Sequence, residues 1–451
     1  MSEPAAARAA PKRVTSRSAV PVAAACLLVT LAGFLAWQYL MPAAFHSSYF
    51  VNYAGVEHFR ATLGLPRVEP SIDTYRLVFR ALLTTVWLAY FVMVMAGAMG
   101  APLPRRRTVS IAVMAAALVA AVLWPPSFSS DVYGYVAYGR LQVVYGLNPY
   151  ATSQVALGTL HDPIAHFLTW NIASPYGPLW SLFSSGLVWL LRGADVFTQV
   201  MAMKLVAAGA VLGIAWVGRA VAERLEGGRG DLTFLALGLN PLFIAEGPGN
   251  GHNDFVMMLL VLVTIGAVLE GRTLRAVAVA GVAAALKFLP LMLVPWIVLA
   301  AWRARPATWT RRAREALGYG AAAFAPLVVG YRIYWFGTKT LFGLEQRWQS
   351  GQTSDGASHR EMGAQALALL TFYGLVTLWF ARGDRTRLLT AWMAVAAAVY
   401  FTTAGALLPW YLSWIWAVAL VRWEKREALF SYLVFCIAVA LMLRYSVPRW
   451  T

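Results

Sequence analysis

Apolar runs of 16–25 residues recur from one end of this 451-residue chain to the other. At 1.5 Å per residue such a run matches a hydrocarbon core of roughly 30 Å. Lipid offers no hydrogen-bond partners, so a spanning backbone must satisfy itself, as a helix or as a closed barrel. Ten-residue segments of alternating hydrophobicity, the barrel signature, are absent from the sequence. The expected fold class is therefore all-α, a polytopic transmembrane helical protein. Only 13% of residues are charged and the mean hydropathy is +0.61, against about 25% charged for a soluble domain.

Spans are expected near 19–41, 77–100, 109–124, 199–222, 232–248, 254–270, 274–287, 288–302, 316–335, 362–381, 388–406, 410–422 and 428–444, about 13 in all. The first run is too long for the apolar part of a signal peptide. Residues 1–18, rich in Ala, Pro and Arg, read as a disordered cytoplasmic tail, and 19–451 as one membrane domain. Cys26 and Cys436 both lie in apolar runs and imply no disulfide framework.

A net charge of +17 invites a nucleic-acid reading, but the positions of the basic residues exclude it. Of 37 Lys and Arg, 23 gather in short loops that alternate along the chain, from Arg8, Lys12, Arg13 and Arg17 to Arg422, Lys425 and Arg426. That positive-inside bias places the N-terminus in the cytoplasm and the C-terminus outside. It requires that 178–192, short and containing Ser181, Ser184 and Ser185, does not cross but lies half-buried or re-entrant. It also favours a helical pair over one kinked helix at 274–302, with Lys287 near the outer face. The outer face then collects residues 42–76, the long loop 125–198, the turn 247–254, the loop 336–361 and the turn 408–411.

Asp131 heads an aromatic segment in that long loop. Asp131, Tyr135, Tyr138, Gln142 and Tyr145 share one helical face, Val132, Val136 and Val143 lie opposite, and Gly146 suits the C-cap. The helix is expected along the membrane surface, its Val side buried and its Asp/Tyr side on a cavity. Asp131 reads either as a general base for an acceptor hydroxyl or as a helix-start carboxylate favoured by the dipole. His252, Asn253 and Asp254 follow a Gly-rich turn; Asn250, Asn253 and Asp254 read as caps, or Asp254 as a second carboxylate that orients an acceptor or holds a divalent cation, although so few carboxylates specify no metal site.

Lys204 and Lys287 are the basic residues well inside expected spans, where charge is costly. They, or Arg140, Arg347, His359 and Arg360 in outer loops, could neutralise a phosphate leaving group; the alternative for the two lysines is snorkelling. Trp170, Tyr176, Trp180, Trp410, Tyr411, Trp414 and Trp416 are expected mainly in an interfacial aromatic belt.

Taken together and in order, SSDVYGYVAYGRL…GLNPY (129–150), SPYGPLW (174–180), LNPLFIAEGPGNGHNDFVMML (239–259), ALKFLPLMLVPW (285–296) and LPWYLSW (408–414) resemble the GT-C superfamily of polyprenyl-phosphate-sugar glycosyltransferases. Within it they are similar to the bacterial polyprenol-phosphate-mannose-dependent mannosyltransferases of the mannan and phosphatidylinositol mannoside type. The resemblance spans about 125–415 and implies a GT-C membrane domain with amphipathic juxtamembrane helices in a large external loop. It implies Asp131 as the catalytic base. It carries over His252, Asn253 and Asp254, and Lys287 with Pro290, as active-site candidates. Together with the aromatic and cationic residues read above, the candidates for substrate binding are Tyr135, Tyr138, Arg140, Tyr176, Lys204, His252, Asn253, Asp254, Lys287, His359, Arg360, Trp410 and Tyr411. The chain departs from the simplest superfamily plan in having two spans before the one that precedes Asp131, and the acceptor does not carry over.

The implied reaction moves a hexose, in this resemblance mannose, from a polyprenyl-phosphate donor to an extracytoplasmic glycan or glycolipid acceptor with inversion. The setting is the outer face of a bacterial plasma membrane, the bilayer is a partner and nucleic acid is not. The competing class is a lipid-glycan transporter or flippase. It calls for mid-membrane charge pairs and repeated halves, and the sequence shows no such symmetry.

Overall fold

The computed structural model describes residues 19–47, 52–103, 107–169, 171–304, 307–337, 340, 359–403, 408–424, 435 and 437–440. The tail 1–18, Trp170 and Arg347 lie outside the described residues, as do the side chains of His359 and Arg360. Among the described residues the structure is helical and holds no strand.

The first helices are α1 (Ala19–Gln38), α2 (Tyr53–Thr62), α3 (Ile72–Ala98) and α4 (Arg107–Val122). The long loop 125–198 folds as α5 (Asp131–Val143), α6 (Val155–Thr159) and α7 (Pro178–Leu190). Then come α8 (Val196–Leu225), α9 (Gly230–Gly238), α10 (Pro241–Ile244), α11 (Asp254–Leu269), α12 (Thr273–Ala284), α13 (Leu293–Ala304) and α14 (Trp309–Tyr334). They are followed by α15 (His359–Phe380), α16 (Arg387–Thr403) and α17 (Ser413–Ala419).

Among the described residues five helices are long and apolar enough to cross a membrane: Ala19–Gln38, Ile72–Ala98, Val196–Leu225, Trp309–Tyr334 and Gly363–Phe380. Six further apolar helices among the described residues are shorter, so length and composition do not carry the count of about 13, and most of the expected span 428–444 lies outside the described residues. Segment 232–248 is not one helix. Pro241 has no N–H to continue α9, and Asn240 restarts the chain by accepting from the N–H groups of Leu242 and Phe243. Residues 274–302 form the helical pair α12 and α13, joined by a turn at Leu289–Met292. Helix α7, at 13 residues, is about 20 Å long, short of the hydrocarbon core.

The main core is built where α1 packs on α3 and where α8 packs on α9 and α11, with α12 linking α11 to α14. A second apolar cluster surrounds α5 and draws on Phe59, Phe167, Tyr176, Trp180, Val188 and Val200. Helix α5 is consequently enclosed on both faces. Val132, Tyr133, Tyr135, Val136, Ala137 and Leu141 are all fully buried. The Val side is buried, as expected, and what buries it is protein. Gly139 makes that enclosure feasible, because a Cβ there would meet the Ser184 carbonyl oxygen of α7 at 2.7 Å. The end of α5 follows the sequence, with Gly146 at φ +66° and its N–H on Gln142 O.

The motif SPYGPLW docks on the end of α12. Gly177 N–H donates to Leu286 O at 2.9 Å and Leu179 N–H to Ala285 O at 3.0 Å. A Cβ on Gly177 would stand 2.2 Å from Ala285 O, a backbone atom that cannot swing aside. Gly177→Ala is therefore expected to cost about 1–3 kcal/mol, as overpacking does. A thermal-unfolding comparison in detergent checks this; an unchanged midpoint would mean that the turn yields freely.

Candidate active site

Asp131 opens α5 with its backbone N–H on Ser129 Oγ at 3.1 Å, while Ser130, the N-cap, makes no side-chain cap bond. The Asp131 side chain lines a small pocket with Ser130, Gly134, Tyr138, Gln154, Ile172, Pro175 and Tyr176. Its open space is about 20 Å³, room for roughly one water molecule. Tyr138 donates its hydroxyl to Ile172 O at 3.0 Å, and its ring meets Tyr176 edge-on.

A second group reaches Asp131 from the turn before α11. Gly251 adopts φ +78°, and a Cβ there would strike Val132 Cγ2 at 2.7 Å. The turn can therefore lie directly on α5, which delivers His252. Its Nδ1 stands 3.3 Å from Asp131 Oδ2, and its Nε2 stands 3.4 Å from Glu246 Oε2. These are ion-pair distances, and neither nitrogen is aligned for a well-formed hydrogen bond. His252 is fully buried and stacks on Trp410, with centroids 4.0 Å apart and planes at 18°. Burial by itself pushes the imidazole down; the carboxylates on its two sides override this and raise its pKa to about 9.

Beside it, Tyr135 and Asn253 bond reciprocally. The Tyr135 hydroxyl donates to Asn253 Oδ1 at 3.2 Å and accepts the Asn253 N–H at 3.3 Å. Asp254 begins α11 and is fully buried. Lys287 Nζ lies 2.7 Å from both Asp254 oxygens, and Trp414 Nε1–H donates to Oδ1 at 2.7 Å. Tyr411 and Trp414 present their rings to the same ammonium, at 5.2 and 5.9 Å.

The structure thus brings Asp131, Tyr135, Tyr138, Tyr176, His252, Asn253 and Trp410 together, and joins Asp254, Lys287 and Tyr411 in an adjoining group. The other candidate cations stand elsewhere. Arg140 binds Asp162 through Nε and Nη2, and Gln199 through Nη1. Lys204 is fully buried, donates to Trp124 O and lies 4.9 Å from the Phe59 ring centroid. Trp180, Trp410, Trp414 and Trp416 are buried among protein, not spread in an interfacial belt. Among the described residues no group of three or more His, Cys, Asp and Glu is arranged for a metal ion, and Asp254 already faces Lys287.

The family model for the N-terminal domain of alpha-(1->6)-mannopyranosyltransferases matches residues 14–303, which include α5, the turn before α11 and Lys287. The chain belongs to this family. It is 28% identical over 343 residues to alpha-(1->6)-mannopyranosyltransferase A of Mycobacterium tuberculosis, covering 67% of this chain and 63% of that protein. It is 29% identical over 187 residues to alpha-(1->6)-mannopyranosyltransferase A of Corynebacterium glutamicum, covering 41% of this chain and 37% of that one. The matched region therefore spans less than two thirds of these relatives.

In this family member two residues of the site escaped the reading of the sequence. Glu246 is the acidic residue inside the expected span 232–248, and an intramembrane carboxylate is a functional signal in itself. Gln154 carried no such signal. It sits in an irregular stretch, is 3% exposed, and leaves its buried Oε1 without a hydrogen bond in the pocket wall.

Proposed function

We propose that this membrane protein is a mannosyltransferase that moves mannose from a polyprenyl-phosphate donor to a glycan or glycolipid acceptor on the outer face of a bacterial plasma membrane. The observation that carries the reading is Asp131, a carboxylate in a pocket walled by tyrosines and a glutamine, with its charge faced by buried His252. The names of the relatives support the sugar, and the positive-inside pattern supports the face.

Asp131 accepts the proton of the acceptor hydroxyl. The oxygen attacks C1 of the sugar as the bond from C1 to the phosphate oxygen breaks, and the electron pair leaves on the phosphate. One displacement inverts C1, so a β-linked donor yields an α-linked product. The phosphate needs cationic stabilisation more than a proton. Lys287, whose side chain keeps 14% exposure, is the cation assigned to it. The open space beside Asp131 is smaller than a hexose, so binding a sugar there calls for the pocket lining to widen.

Gln154 Oε1 is assigned to a sugar hydroxyl, the partner it otherwise lacks. Gln154→Leu is expected to raise the acceptor KM roughly tenfold, the worth of one hydrogen bond in a buried site, with the melting temperature held. An unchanged KM removes Gln154 from the site.

The reaction itself is tested with purified full-length chain in detergent, labelled polyprenyl-phosphate mannose and a panel of mannosides. Labelled glycoside and free polyprenyl phosphate in equal amounts are expected. Absence of transfer to every acceptor, from a protein that unfolds cooperatively, would sink the reading.

A further inference from the structure

We propose that His252 is a positioning residue for Asp131, held as an imidazolium between two carboxylates, and that Glu246 is the group that keeps it protonated. This deepens the assignment of Asp131 as base and rests on it.

The geometry makes the argument. Trp410 fixes the plane of the imidazole by stacking at 4.0 Å, and Gly251 fixes where the ring starts. In that orientation one nitrogen faces Asp131 and the other faces Glu246. A neutral imidazole carries a single N–H, so one carboxylate would face a lone pair in a fully buried place. Only the imidazolium answers both. Glu246 is itself held, with Asn250 Nδ2 donating to its Oε2 at 3.0 Å. The ring therefore ties the base to a wall of the protein and keeps positive charge beside it, so that Asp131 waits ionised and in one orientation.

The other polar groups around the ring do not replace this role. From α8, Lys204 approaches Gly251 with its stem and sends its amine to Trp124 O. From α5, the Tyr135 hydroxyl is engaged by Asn253. Asp254 belongs to Lys287 and Trp414, and Tyr411 lies on that side. Helix α10 has no titratable residue, and α4 has none but Arg107, at its far end.

The sign follows from the raised pKa. The imidazolium is present through neutral pH and is lost as pH climbs past about 9. The kcat profile of the full-length protein is expected to fall on that alkaline side. Glu246→Gln removes one of the two charges that raise the imidazole, so the fall should begin about one pH unit lower, with the acceptor KM little changed. Glu246→Asp should restore much of the shift, and His252→Gln should lower kcat and lose that limb.

The same transfer assay is run at pH 6 to 10 on these variants and on Asp131→Asn. A limb that moves in Glu246→Gln and returns in Glu246→Asp upholds the inference. A wild-type profile flat to pH 10, or a limb unmoved in a folded Glu246→Gln protein, overturns it, and the wild-type profile decides even if a variant does not accumulate. Retained transfer by Asp131→Asn is a different result: it removes the base assignment and this inference with it, whereas an inactive Asp131→Asn with an unmoved limb removes the inference alone.

Discussion

Asp131→Asn is expected to lower the transfer rate by about 10²–10⁴-fold, the range over which a positioned base contributes, while the acceptor KM stays near its wild-type value. The substitution keeps shape and volume and removes only the ability to take a proton. The fold should tolerate it. Ser129 bonds the backbone N–H of residue 131, not its side chain, and His252 keeps Glu246 as a counter-charge. Initial rates measured beside thermal unfolding in detergent separate loss of chemistry from loss of structure. Transfer within a few-fold of wild type would place the base elsewhere.

Lys287→Met is expected to cost about 3–5 kcal/mol of stability, because it strands the Asp254 carboxylate without a counter-charge. Asp254 is fully buried, and with Lys287 gone its remaining side-chain donor among the described residues is Trp414 Nε1–H. The reverse change, Asp254→Asn, should cost less. The Lys287 ammonium keeps some exposure and two aromatic rings to lean on. The double variant Asp254→Asn with Lys287→Met should therefore be more stable than Lys287→Met alone, a non-additivity that a double-mutant cycle reads directly. The cycle also separates two roles. If the pair were only structural, the double variant would regain transfer along with stability. The assignment of Lys287 to the leaving phosphate requires instead that stability returns and transfer does not.

Some of this was legible along the chain. Glycine at 146 ends α5 because the left-handed turn there suits a residue without Cβ, and that signal is local. The pairing favoured at 274–302 came from loop charge, which acts over a few residues at a membrane surface. The break at Asn240–Pro241 was also written locally, yet hydropathy averaged over a window smoothed it into one span. The aromatic residues failed as belt markers for a related reason. Trp and Tyr serve equally well at an interface and in a core, and composition does not say which.

What the sequence by itself determined is the class of molecule and the starts of two helices: a helical membrane chain, an aromatic helix beginning at Asp131, and a polar turn ahead of the helix that begins at Asp254. Those features rest on solvent preference and backbone geometry within a few residues. What only the tertiary structure decided is which groups meet. It joined Lys287 to Asp254, set Tyr135 on Asn253, enclosed α5 in protein and placed His252 between Asp131 and Glu246. The physical reason is that a buried charge is tolerable only beside its partner, and the partner is chosen by packing between distant helices, which no local pattern records.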